Sequence, residues 1–172
     1  MRRHLLPLFL AGALVSLDQW SKAWVVSHIA LGERFVSLWG ALHLTHTENS
    51  GAAFGALRGV TFQVADLSLD AVVLLGLVSL LTALVLGVAI LGAPRWRIGT
   101  GLAVGLLMGG AIGNGLDRWS QGYVVDFLLF ESGGFSFPVF NVADIAISLG
   151  AGLLILMGLL PRSGRAKSAS DR

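Results

Sequence analysis

Residues 71–91 read AVVLLGLVSLLTALVLGVAIL, a run without a charge, an amide side chain or a proline. An α-helix rising 1.5 Å per residue needs about 20 apolar residues to cross a hydrocarbon core of about 30 Å. A run this long and this uniform predicts a membrane-spanning helix. The rest of the composition agrees. Of the 172 residues 55% are hydrophobic and only 13% are charged, too little polar surface for a soluble domain of this size. There is no cysteine, which excludes a disulfide framework, a thiolate metal site and a cysteine nucleophile.

Working outward from 71–91, three further apolar stretches read as spans, at about 5–28, 99–116 and 139–160. The expected fold is a mainly α membrane protein with four transmembrane helices and a small extracytoplasmic β-sheet and loop. Residues 1–161 form one domain, and the Ser-, Gly- and Arg-rich tail 162–172 is expected to be disordered. Arg2-Arg3 ahead of an apolar run and Ala11-Gly12-Ala13 also fit a cleavable leader. The apolar character persists through Trp20, Trp24, Val25 and Val26, so an uncleaved first helix is the better reading.

Charge placement gives an orientation. Eight of the twelve basic residues are Arg2, Arg3, Arg95, Arg97, Arg162, Arg165, Lys167 and Arg172, accompanied by one acid, Asp171. The positive-inside rule then assigns both termini and the 92–98 loop to the cytoplasm. Residues 29–65 and 117–138 fall outside, and the formal charge of +2 reports topology rather than nucleic-acid binding. In the first outer segment, Arg34–Trp39 and Ala41–His46 alternate like strands with Gly40 between them. Asn49-Ser50-Gly51-Ala52-Ala53-Phe54-Gly55 follows as a small-residue loop that lets backbone approach a ligand. In the third span Gly101, Gly105, Gly109 and Gly113 share one stripe, which predicts close helix packing within the chain.

Against this apolar background the acids stand out. Asp126 follows the third span and Asp144 lies inside the fourth, where a carboxylate costs roughly 2.5–3.5 kcal/mol on insertion scales. With Pro138 as the expected helix start, Asn141 and Asp144 share a face, and residues 127–137 are long enough to fold Asp126 back over it. Two carboxylates within hydrogen-bond reach hold one proton between them. The ionised partner can take a proton from an attacking water, and the protonated one can stabilise the oxyanion and then protonate a leaving amine. That is the aspartyl peptidase scheme; two acids that merely cap a helix end are the weaker reading.

Other residues fill in around the pair. Asp18 and Lys22 are four apart on the first span and can form an ion pair that locks its outer half. Asn114 sits on the third span near its end. Arg118 there is open to two readings, a clamp on Asp117 or a guanidinium fork for carbonyl or ester oxygens of a ligand. His43 and His46 have metal-compatible spacing but no His-Glu-x-x-His helix, so strand or surface histidines fit better. Ser50 lacks a nucleophile elbow, and Ser21 and Lys22 are neighbours that point apart on a helix. Asp66 and Asp70 are expected at the interface before the second span. A proton relay through Asp18, Lys22 and Asp144 would need ionisable groups in the inner helix halves, which have none.

Five blocks occur in order: Asp18-x-x-x-Lys22, Asn49-x-Gly51-Ala52-Ala53-Phe54, Gly113-Asn114-x-x-Asp117-Arg118, Gly122-x-Val124-x-Asp126-Phe127 and Phe140-Asn141-x-Ala143-Asp144. Together they resemble the lipoprotein signal peptidase (signal peptidase II) family of aspartyl membrane peptidases, over most of the chain. The resemblance implies a catalytic pair Asp126 and Asp144, with Asn49, Gly51, Asn114, Arg118 and Asn141 positioning substrate or dyad and Asp18 and Lys22 supporting the site. It implies cleavage of a diacylglyceryl-modified prolipoprotein just before its lipidated cysteine, with no metal or other cofactor. The expected setting is the bacterial inner membrane, with the site near the outer face. The expected partners are substrate and membrane lipid, with no nucleic acid, and the chain is expected to be a monomer.

Overall fold

The computed structural model describes residues 5–51, 61–64, 67–92 and 97–159. In chain order these form α1 (Leu5–His28), β1 (Arg34–Trp39), β2 (Leu42–Asn49), β3 (Thr61–Val64), β4 (Leu67–Asp70), α2 (Ala71–Gly92), α3 (Ile98–Gln121), β5 (Val124–Ser132), β6 (Phe135–Phe140) and α4 (Val142–Leu159). The 162–172 tail, Ala52–Phe54, Asp66 and the turn at Pro94 lie outside the described residues.

Three helices, α2, α3 and α4, are long and apolar enough to cross a membrane. Helix α1 is as long as α3 but carries Asp18, Gln19 and Lys22. The apolar windows of α2 and α4 are only 11% and 17% buried, against 61% for α3. Faces such as Leu80, Leu84 and Val88 on α2 are therefore left for hydrocarbon rather than for a protein core. Helix α3 is the hub, packing against each of the other three. Its glycines make that possible. A Cβ on Gly105 would come within 2.8 Å of the Pro7 carbonyl oxygen, and one on Gly109 within 3.1 Å of the Ala11 backbone. On the adjoining face a Cβ on Gly110 would meet the Ala143 carbonyl at 2.5 Å. The small-residue stripe thus seats α1 on α3, and its neighbour seats α4.

The third span was expected to stop near 116, yet α3 runs to Gln121. Its last turns are polar, but their groups are satisfied: Asp117 is ion-paired and Ser120 Oγ donates to the Leu116 carbonyl. The helix ends at Gly122, whose φ of +80° suits a residue without Cβ and whose N–H donates to the Arg118 carbonyl. This sharp reversal sends the chain straight into β5 beside the end of α3.

Strands β1, β2, β5 and β6 make one antiparallel sheet in the order β1-β2-β5-β6, and β3 pairs with β4 in a separate hairpin. The first two strands lie where the alternation predicts them, with β2 running on to Asn49. The 127–137 connection is the β5–β6 hairpin, turning at Gly133 and Gly134, both at positive φ. Pro138 does not start a helix as expected; it lies in β6, an edge strand where a missing N–H leaves no ladder bond unmade. Along β5 the side chains alternate. Val125 and Phe127 join Val25 and Ile29 in an apolar cluster at the end of α1, which turns Asp126 to the other face.

Candidate active site

Helix α4 begins at Val142 because Asn141 caps it. The Asp144 N–H donates to Asn141 Oδ1 at 2.9 Å, and the Asn141 N–H donates back to Asp144 Oδ2 at 3.2 Å. This reciprocal arrangement is a capping box in which the N3 position carries an aspartate. The second orphan donor of the helix, Ala143 N–H, is taken by Asp18 Oδ1 at 2.9 Å, reaching across from α1. A Cβ on Gly113 would lie 2.6 Å from Asp18 Oδ2, so the glycine leaves room for that carboxylate.

Asn141 also joins the two aspartates. Its Nδ2 donates to Asp126 Oδ1 at 2.7 Å, while its Oδ1 holds the Asp144 N–H. Asn49 Nδ2 donates to the other oxygen of Asp126 at 2.9 Å, and Asn114 Nδ2 donates to Asp144 Oδ1 at 2.8 Å. Both carboxylates face one cavity of about 520 Å³, together with Asn49, Asn114 and Arg118. Mostly apolar residues of α2, β6 and α4 complete its wall, among them Leu75, Phe137, Phe140 and Ile145. Asp126 is pushed up from the ordinary 3.8 to about 6, chiefly by burial and further by the nearby charge of Asp144, against the opposing bonds from Asn49 and Asn141.

Behind the cavity lies a closed ionic cluster. Lys22 Nζ contacts Asp18 Oδ2 at 2.7 Å, Asp117 Oδ2 at 2.8 Å and Asn114 Oδ1 at 3.0 Å, and all four residues are buried. Gln19 Nε2 donates to Asp117 Oδ1 at 2.8 Å. The ammonium therefore fixes the oxygen of Asn114 and leaves its Nδ2 as the donor to Asp144. Asn141 Nδ2 reaches the same Asn114 oxygen at 3.1 Å.

The expected Asp18–Lys22 pair is present, and the residues anticipated around the aspartates converge on them. The Asp117–Arg118 clamp is not formed. Asp117 faces Lys22 across the α1–α3 contact, while Arg118 donates to the Asn114 carbonyl at 3.2 Å and to the Gly51 carbonyl at 3.1 Å. Its guanidinium lines the cavity. Gly51 is held at its other end by its N–H to Asn49 Oδ1 at 3.0 Å. His46 is engaged by the Ile29 carbonyl through Nδ1, and its Nε2 has no partner among the described residues, Ser50 included. Asp70 accepts from Thr61 within the β3–β4 hairpin, on the exposed side of the chain. Two participants escaped the sequence reading. Asp117 had only its chain neighbour as a candidate partner, and Gln19 carried no signal beyond being polar in a span.

Long lipid-facing helices, a small sheet laid against their ends and paired carboxylates in a half-apolar cavity define a membrane enzyme. The comparisons with known proteins agree. A family model described as Signal peptidase (SPase) II matches residues 10–160. The lipoprotein signal peptidase of Nostoc punctiforme is 42% identical over 151 residues, covering 87% of each chain. That of Geobacillus thermodenitrificans is 38% identical over 154 residues, covering 90% of this chain and 89% of its own. Two solved structures, each described as a bacterial membrane enzyme, superpose with TM-scores of 0.76 and 0.74 at 27% and 26% identity. The first match covers 89% of this chain and 87% of the solved one; the second covers 91% and 94%. The chain belongs to the signal peptidase II family and is a membrane protease.

Proposed function

We propose that this chain is an aspartyl endopeptidase that removes the signal peptide from diacylglyceryl-modified bacterial prolipoproteins, cutting before the lipidated cysteine. The observation that carries the reading is the convergence of Asp126 and Asp144 on one cavity, bridged by Asn141 and walled by apolar side chains. Between them the pair holds one proton, carried by Asp126, whose burial favours the neutral form. Its partner takes a proton from a water molecule as the water oxygen bonds to the scissile carbonyl carbon. Protonated Asp126 donates a hydrogen bond to the developing oxyanion. As the carbon–nitrogen bond breaks, a proton passes from the pair to the leaving amine, and the dyad is reset.

Asn49, Asn114 and Asn141 hold the carboxylates, Arg118 is available for carbonyl oxygens of the substrate, and the Lys22 cluster supports Asn114 from behind. In this reading α1 spans the membrane with the other three helices, both termini are cytoplasmic, and the site lies near the outer face of the inner membrane. The distribution of basic residues supports that orientation. A lipid-anchored substrate would keep its cleavage site at that depth, and a monomer supplies every group named.

The test uses purified protein in detergent with a diacylglyceryl-modified precursor and the same precursor unmodified. Cleavage of the modified form alone is expected. Equal cleavage of both, or of neither, would refute the substrate assignment.

A further inference from the structure

The cavity that holds the two carboxylates continues between α2 and α4, where Leu75, Ser79, Ile145, Ser148 and Leu149 line it. Two hydroxyls in this apolar wall behave differently from the others. In a helix a serine or threonine usually returns its proton to a carbonyl three or four residues back. Ser16, Ser21, Ser27, Thr82 and Ser120 all do so. Beyond the first helical turn, half-buried Ser79 and exposed Ser148 are the two described helix hydroxyls with no such bond, and neither has another hydrogen-bond partner among the described residues. An unpaired hydroxyl in hydrocarbon is costly, so a pair of them along one cavity points to an acceptor supplied from outside the chain.

Their position says what kind. Ser148 follows Asp144 by four residues, one turn and about 6 Å further along the same face of α4. Ser79 packs on α3 at Gly115, where a Cβ would come within 3.2 Å of the Ser79 Cβ, next to Asn114. The hydroxyls thus flank the stretch of cavity just beyond the dyad. They offer neutral donors, with aliphatic side chains around them. That combination suits an uncharged acceptor flanked by hydrocarbon.

We infer that Ser79 and Ser148 form a hydrogen-bonding subsite for the ester carbonyls of the substrate's diacylglyceryl group. The inference rests on the proposed function. With the scissile amide at the dyad, the ester carbonyls are only a few bonds away along the cysteine side chain. The acyl chains then run past Leu75 and Leu149.

The test compares the wild-type chain with Ser79→Ala/Ser148→Ala on two precursors, one carrying the diacylglyceryl group and one an ether-linked dialkylglyceryl analogue without ester carbonyls. Alanine suits a lipid-facing helix, and the melting temperature in detergent checks that folding is unchanged. On the diester the variant should raise KM about tenfold, the size expected for two neutral hydrogen bonds, with kcat within about twofold. On the ether analogue both chains should share one raised KM. No difference on the diester would overturn the subsite, and so would an equal rise on both substrates, which would assign the hydroxyls to peptide or packing. A wild-type chain that cleaves neither precursor would overturn the proposed function itself, and the subsite with it.

Discussion

Two polar clusters lie side by side between α1, α3 and α4, and they are built to opposite ends. The inner one, Asp18, Gln19, Lys22 and Asp117, is closed: the ammonium meets two carboxylates and an amide, and the second oxygens of both acids are also occupied. The outer one, Asp126 and Asp144 with their asparagines, opens on a cavity. There no cation neutralises the acids at contact distance among the described residues; amide N–H groups hold them instead. Buried ions paired this completely rigidify their surroundings. Carboxylates held by neutral donors keep a shareable proton. Asn114 belongs to both clusters, with its oxygen on Lys22 and its nitrogen on Asp144, and so transmits the rigidity of one to the other.

The comparison breaks most sharply at the outer cluster. Asp126→Asn and Asp144→Asn should each lower kcat by at least about a thousandfold, since each removes an acid–base partner. The folded yield should stay near wild type, as seen by size exclusion in detergent. Cleavage within tenfold of wild type by either variant would remove the dyad from the mechanism. The inner cluster should respond the other way round, through stability first. Lys22→Met leaves Asp18 and Asp117 buried and uncompensated, a loss of roughly 3–5 kcal/mol. Adding Asp117→Asn removes one of the two uncompensated charges and should recover part of the melting temperature. An unchanged melting temperature in Lys22→Met alone would show that the cluster does not support the fold.

Much of this was readable beforehand, for reasons that differ by region. The helices announced themselves because hydrocarbon leaves few alternatives to long apolar runs, and acids within such runs are expensive enough to be noticed. Strands β1 and β2 showed their alternation. Strand β6 did not, because Phe135-Ser-Phe-Pro-Val-Phe140 reads equally well as a loop leading to a proline-started helix. What decides the matter is Asn141 capping through Asp144, a choice the side chains make only once α1 brings Asp18 to the same helix end. The partner of Asp117 stayed open for a similar reason. Adjacency in sequence offered Arg118 as one partner, but the helix turns Asp117 toward α1 and Arg118 toward the cavity. Partners across a helix–helix contact are set by packing, and the glycines that set this packing say only that something comes close.

The finest distinction between the clusters is electrostatic, and pH reads it. Asp126 has its folded pKa raised to about 6 from 3.8, so the folded chain binds this proton more tightly than the unfolded one. The sign follows from linkage: the stability gained from the proton is complete below 3.8 and is lost as pH rises through about 6. A difference of that size corresponds to about 3 kcal/mol, at roughly 1.4 kcal/mol per pKa unit. This is opposite to the usual salt-bridged carboxylate, whose contribution is lost on acidification. Thermal unfolding in detergent should therefore show a component of stability that declines between pH 4 and about 6 in the wild-type chain. Asp126→Asn should remove that component, because asparagine keeps the shape and takes no proton. The same titration governs catalysis if Asp126 must enter the reaction protonated, so kcat/KM should fall on the alkaline side of the same range. A stability profile identical in wild type and Asp126→Asn would show that Asp126 does not carry the shared proton.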